Sequence, residues 1–246
     1  MIYLTPVTLE IASLGLRFSE RGTDFYLQIM NKLKVIFYID GFNLYYGLRD
    51  FGSREYLWLN LQKLAYILTN LDETLEKVKY FTTMVSDPPD KVKRQVSYIE
   101  ALKTQDKIEI FEGTFITENK NCWNCQYPID KCSYCGANLK FHREKKTDVN
   151  ICCQTLLDCV LNNCDVLKIV SADSDLVPVA ETIKNLYPFK ILSFIFPPNT
   201  FSSDLAKPNL SDKFFVMPRR ILNKCQFPNQ IISNQGYTIQ KPNTWI

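Results

Sequence analysis

Val166-Leu167-Lys168-Ile169-Val170-Ser171-Ala172-Asp173-Ser174-Asp175-Leu176 reads as a short buried strand that gives way to an acidic turn and then to a helix. An apolar run that ends at once in carboxylates marks the edge of a sheet where loops carry ligand sites. The same change of character occurs at Val35-Ile36-Phe37-Tyr38-Ile39-Asp40-Gly41-Phe42-Asn43. Further apolar runs at Val78–Val85, Ile108–Phe111 and Ile191–Phe196 alternate with helical patterns over Leu57–Leu68, Asp90–Lys103 and Asp148–Leu161. A last helix follows Asp175, which is placed to cap it, with Leu176, Val179, Ala180, Ile183 and Leu186 on one face. This alternation predicts an α/β fold of three layers, doubly wound around a mainly parallel sheet.

Parallel strands all end on one edge, and the helices that connect them begin there. Asp40 and Asp173 therefore share an edge with Asp148, which starts the helix leading into Val166–Val170, and with Asp175 in the turn. Four carboxylates held together repel one another unless a cation offsets them, and an all-oxygen donor set suits Mg²⁺ or Mn²⁺. Such an ion polarises a phosphodiester and lowers the pKa of a bound water. Each acid also has a plainer reading: Asp40 before Gly41 as a turn residue, Asp175 as a helix cap, Asp148 as first-turn charge favoured by the helix dipole. Asn43 is placed either to orient a metal-bound water or to cap the helix from Leu44 onward. Lys145 and Lys146 either bring positive charge to the anionic pocket or are solvated surface lysines.

The chain has 246 residues, 46% of them hydrophobic, which is enough for a well-buried core. Lys and Arg total 29 against 26 Asp and Glu, a net charge of +3 that is too balanced to announce a nucleic-acid partner by itself. No apolar stretch approaches the ~18 residues of a membrane span. Glu10, Arg17, Glu20 and Arg21 interrupt the region where a signal peptide needs an apolar core. A cytoplasmic location is expected, with no membrane partner. Residues 1–31 lack a clear period, and 1–33 read as a leader, either upstream of a true start at Met30 or an ordinary amino-terminal helix. The main domain is expected over 34–228, with a tail over 229–246.

Seven of the nine cysteines fall into two groups. Cys152, Cys153 and Cys159 fall in a helical pattern. Cys122-Trp123-Asn124-Cys125 and Cys132-Ser133-Tyr134-Cys135-Gly136 give C-x2-C-x6-C-x2-C, a spacing at which two tight turns present four thiolates to structural Zn²⁺. The zinc-binding insertion is expected over 118–141. Free thiols or redox disulfides are the alternatives. Trp123, Tyr127, Tyr134 and Phe141 interleave with Lys131, Lys140 and Arg143, a pattern suited to stacking unpaired bases while cations follow phosphates, and suited equally to the core of a small zinc module. Lys91, Lys93 and Arg94, with Arg219, Arg220 and Lys224, form further basic sets that widen such a track or simply face solvent.

Asp40-Gly41-Phe42-Asn43-Leu44, Glu144-Lys145-Lys146-Thr147-Asp148-Val149-Asn150-Ile151 and Val170-Ser171-Ala172-Asp173-Ser174-Asp175-Leu176-Val177-Pro178 closely resemble, in order, the three motifs of NYN domain proteins. These belong to the PIN-like metal-dependent nucleases. The resemblance covers about residues 34 to 228. It implies Asp40, Asp148, Asp173 and Asp175 as Mg²⁺ or Mn²⁺ ligands, with Asn43 as a polar helper beside Asp40; Lys145, three residues before Asp148, is expected as a further catalytic residue from its charge and position. Ser171, Lys146, Arg143 and Lys140 are expected to contact substrate. The function so implied is a metal-dependent ribonuclease acting on single-stranded or structured RNA. A catalytically weak RNA-binding or regulatory protein of the same fold, or a DNA-directed nuclease, is the alternative. Some relatives of that family carry a further carboxylate within the helix after the second motif, where this chain offers Gln154 and then Asp158, so the resemblance leaves one or two metals open.

Overall fold

A computed structural model describes residues 32–118, 120–131, 133–136 and 141–245. Strands β1 (Leu33–Asp40), β2 (Glu73–Thr82), β3 (Ile108–Glu112), β6 (Val166–Val170), β7 (Ile191–Phe196) and β8 (Lys213–Val216) form one six-stranded parallel sheet in the order β3-β2-β1-β6-β7-β8. Helices α1 (Gly41–Asp50), α2 (Leu61–Leu68), α3 (Pro89–Lys103), α4 (Thr147–Val160), α5 (Val177–Leu186) and α6 (Arg219–Lys224) flank it. This is the α/β three-layer, doubly wound arrangement that the alternating pattern predicts.

Near-continuous apolar runs become central strands because both sheet faces are covered. On one face Ile36, Tyr38, Leu167 and Ile169 pack with Ile151 of α4 and Ile183 of α5 in a single core cluster. The intervening residues Val35, Phe37 and Ile39 are also fully buried. Between β1 and β6 the strand order reverses direction: the chain runs outward from β1 through β2 to β3, then returns beside β1 and runs the other way. That reversal opens the crevice in which doubly wound sheets hold ligands. The register pairs Val35 with Val166 and Ile39 with Val170, which sets Asp40 level with Ser171 at the carboxyl ends.

The five strands read from the sequence are all present, with β2 starting at Glu73 and ending at Thr82. The apolar stretch over Leu57–Leu68 is not one helix but a 3-10 turn (Arg54–Trp58) followed by α2. Asn60 causes the break, since its side chain accepts from the Lys63 N–H at 2.8 Å and caps the second segment. Three strands within residues 34–228, β8 and an antiparallel pair, were not anticipated from the pattern. β8 is short and exposed throughout. β4 (Thr114–Glu118) and β5 (Phe141–Lys145) pair antiparallel, Thr114 opposite Lys145, and carry the cysteine segment between them. Beyond residue 228, β9 (Gln230–Ile232) pairs with β10 (Thr238–Gln240), and buried Trp245 packs near Trp58 and Tyr98. Among the described residues no helix is long and apolar enough to cross a membrane. Residues 1–31, Cys132 and Lys140, on which parts of the sequence reading fall, lie outside the described residues.

Candidate metal centre

Three chain segments deliver carboxylates to one place. Asp40 ends β1, Asp148 lies in the first turn of α4, and Asp173 sits in the turn after β6. One ligand oxygen from each lies within 4.8 Å of the others. Asp40 is buried and the other two are half-buried, so the cluster opens to solvent on one side.

Two of the three acids accept backbone N–H groups. Asp40 caps α1, its Oδ1 accepting the Phe42 and Asn43 N–H groups at 3.1 and 3.0 Å. Its Oδ2 accepts the Ser171 hydroxyl at 3.0 Å. The Ser171 Oγ in turn accepts the Asp173 N–H at 3.1 Å, and Asp173 Oδ1 accepts the Asp175 N–H at 3.0 Å. Burial pushes the Asp40 carboxyl up from 3.8 to about 6. Hydrogen bonds from Asn43 and Ser171 oppose the rise, and the charges of Asp148 and Asp173 add to it. A carboxylate held against its own solvation and against two like charges has a strong electrostatic preference for a nearby cation.

Glycine makes the first of these positions possible. A Cβ on Gly41 would stand 2.5 Å from the Phe81 carbonyl oxygen and 2.8 Å from the Tyr80 hydroxyl, so α1 starts hard against β2 only because residue 41 has no side chain. Across the site, Thr147 is buried before Asp148, and its Oγ1 lies 3.4 Å from Thr83 Oγ1. Lys146 precedes it with a left-handed backbone, φ 81°, at the start of α4.

The remaining site residues divide by location. Asn43 does not cap a helix at Leu44, because α1 already begins at Gly41. It stands in the first turn, where its Oδ1 accepts the Ala172 N–H at 3.0 Å and ties α1 to the loop after β6. Asp175 is exposed and is not one of the three clustered acids. Asp173 instead caps the 3-10 turn Ser174–Leu176 that leads into α5, and α5 itself has no side-chain cap. Ser171 is fully buried as the link between Asp40 and Asp173 rather than on an open substrate surface. Lys145 and Lys146 are exposed at the end of β5 and the start of α4, and Arg143 lies within β5 opposite Ile116.

Asp158 is turned to another use. Its Oδ2 accepts the Tyr38 hydroxyl at 2.6 Å and pairs with the Lys79 ammonium at 2.8 Å, and its Oδ1 accepts from the Asn163 amide. Gln154 Oε1 accepts from the same Lys79 at 2.8 Å. The acid after the second motif is therefore neutralised inside the core by a lysine.

The cysteine segment folds as turns. The Cys122 carbonyl accepts the Gln126 N–H at 2.8 Å, and the Cys122 N–H donates to Tyr127 at 2.8 Å. Backbone N–H groups of Cys125 and Asn124 hold the Cys122 thiol below its usual pKa. Sequence reading passed over one pattern beside the site: Phe42, Tyr45, Tyr46 and Arg49 recur at i, i+3, i+4 and i+7 and so share a face of α1. Phe42 stacks on Tyr46 with centroids 6.4 Å apart, and the Arg49 guanidinium lies 4.8 Å from the Tyr46 centroid.

No family model matches the chain. The chain is 28% identical over 243 aligned residues to a protein named 6-hydroxy-3-succinoylpyridine 3-monooxygenase HspA, of Pseudomonas putida (strain DSM 28022 / S16), covering 87% of this chain and 75% of the relative. A solved structure of a protein of unknown function from Vibrio parahaemolyticus RIMD 2210633 aligns with a TM-score of 0.47 at 18% identity, over 80% of this chain and 98% of that one. The enzyme class expected from the sequence, a metal-dependent nuclease, is corrected by the first of these. The relative is named for an oxidoreductase and not for a hydrolase. Carboxylate clusters do not by themselves specify a reaction, and the motif likeness carried the class further than the chemistry of the acids does.

Proposed function

We propose that Asp40, Asp148 and Asp173 hold one divalent cation of the Mg²⁺ or Mn²⁺ class, and that the cation and the adjoining Lys145 and Lys146 bind the phosphate backbone of RNA. The observation that carries this reading is the convergence of three acids from distant segments, one of them buried, with ligand atoms within 4.8 Å. Two opposite ligands of an octahedral ion at ~2.1 Å stand about 4.2 Å apart, so small side-chain rotations close the cluster on a cation. Hard oxygen donors favour these ions, which keep open positions for phosphate oxygens. The likeness of the same three segments to NYN motifs supports the RNA partner. The proposal is one of binding; hydrolysis is not part of it.

The relative's name favours a second reading, in which the cluster holds a redox-active ion and the ligand is a small oxygenated aromatic acid. One experiment separates the two. Labelled single-stranded RNA is titrated with the protein in Mn²⁺ and in EDTA, and oxygen uptake is followed in parallel with a hydroxylated succinoylpyridine and a reductant. Retention of RNA in Mn²⁺ that is lost in EDTA and in an Asp173→Asn variant supports the first reading. Substrate-dependent oxygen uptake without RNA retention replaces it with the second.

A structural Zn²⁺ on Cys122, Cys125, Cys132 and Cys135 completes the proposal. The residue after the second cysteine of each pair, Gln126 (φ 59°) and Gly136 (φ 70°), has a left-handed backbone, and Cys122 receives amide hydrogen bonds that favour its thiolate. About one zinc per chain in reduced protein, lost in a Cys122→Ser, Cys125→Ser variant, supports it. Metal-free reduced protein of unaltered fold contradicts it.

A further inference from the structure

A cavity of about 160 Å³ is lined by residues of α1, from Gly41 to Arg49, and of α3, from Lys91 to Tyr98. A single water needs ~10–15 Å³ on such a measure, so the space takes a planar ring with a substituent. Phe42, Tyr45 and Tyr46 of α1 form one wall, and Tyr80, Tyr98 and Trp245 form the other. Most of the neutral polar groups within it are already engaged. The Tyr98 hydroxyl donates to the Leu59 carbonyl at 2.8 Å, and the Gln95 amide accepts from the Val85 N–H and donates to the Thr83 carbonyl.

The charged groups are different. Arg49, Lys91 and Arg94 line the cavity, and no Asp or Glu is among its described lining residues. Arg49 is bound to exposed Asp50 at 2.6 Å. Among the described residues, Lys91 and Arg94 have no carboxylate partner. Arg94 is half-buried, so its charge is desolvated in part without an internal counter-ion. Aromatic faces that stack a ring, beside two cations without partners, define a recognisable ligand chemistry.

We propose that this cavity binds a planar aromatic ring bearing an anionic group, the ring against the α1 aromatics and the charge on Lys91 and Arg94. The inference does not depend on the cation at the acidic cluster. Such chemistry comes from a nucleotide, as base and phosphate, or from a small aromatic carboxylate. Calorimetric titration of the full chain in EDTA tests it, with uridine monophosphate and nicotinate as probes and uridine and nicotinamide as their neutral counterparts. One or both anions bind at least about tenfold more tightly than the neutral counterpart, and Arg94→Gln and Lys91→Gln each weaken the anion by about tenfold. Exposed Lys77→Gln, in the amino-terminal half of β2, leaves binding unchanged. Response to the nucleotide alone assigns the site to nucleic acid, and response to nicotinate alone assigns it to small aromatic acids. Failure of both anions to bind overturns the proposal, as does affinity indifferent to both Lys91 and Arg94.

Discussion

The Ser171 hydroxyl donates to Asp40 Oδ2 at 3.0 Å across 131 residues of chain. The contact exists because Ile39 and Val170 pair in parallel strands, so the next residue of each strand meets at the sheet edge. It couples the two halves of the site, since the same oxygen accepts the Asp173 N–H.

Replacement of Ser171 by Ala removes the donor and leaves a buried carboxylate oxygen unsatisfied. A loss of about 1–3 kcal/mol in denaturant unfolding is expected. Mn²⁺ affinity falls roughly tenfold or more, because residues that orient ligands tune them. Titration of Mn²⁺ into the variant and the wild type measures the second effect.

Asp40→Asn separates stability from binding. The amide keeps the acceptor for Phe42 and Asn43 and offers a donor toward Ser171, while the buried charge disappears. Metal-free protein at about pH 8 gains roughly 1–3 kcal/mol in denaturant unfolding, and Mn²⁺ binding is lost.

A pH dependence follows from the same carboxyl. Its pKa is raised from 3.8 to about 6 in the folded chain, so the folded state binds the proton more tightly than the unfolded state. The contribution of Asp40 to metal-free stability is fullest below pH 3.8, declines as pH rises to about 6, and is about 3 kcal/mol lower above that. Mn²⁺ affinity runs the opposite way, rising up to tenfold per pH unit toward pH 6 and levelling above it. Unfolding curves and metal titrations across this range measure the two trends.

The interior pair of Lys79 and Asp158 gives a test of the core. Lys79→Met leaves Asp158 charged and buried with only Tyr38 and Asn163 as donors, and costs about 3–5 kcal/mol in unfolding. Lys79→Met combined with Asp158→Leu recovers most of that loss, since neither charge is then left alone.

That pair also explains where sequence reading stopped. β1, β6 and β7 were legible because their buried residues are nearly all apolar, and Asp40 and Asp173 were legible because they follow directly. β2 was read five residues short at its start because Glu73, Glu76 and Lys77 break the apolar pattern ahead of Val78. Glu73, like Lys79 further along the strand, is buried beside a partner far away in sequence, Lys168 at 2.5 Å for Glu73 and Asp158 for Lys79. A local pattern cannot distinguish such paired charges from solvated ones. The separation of Asp173 from Asp175 likewise depends on which carboxylate caps the turn, and the engagement of Asp158 depends on a lysine in another strand. The aromatic stripe of α1 was written in the spacing of Phe42, Tyr45, Tyr46 and Arg49, but the opposite wall comes from β2, α3 and Trp245.

Direct Mn²⁺ titration, by calorimetry or by the loss of the free-ion resonance, tests the central claim most closely. At about pH 8 the wild-type chain is expected to bind one ion, with binding abolished in both Asp148→Asn and Asp173→Asn while each variant unfolds cooperatively. Mn²⁺ binding of unchanged affinity and stoichiometry in those two variants would contradict it.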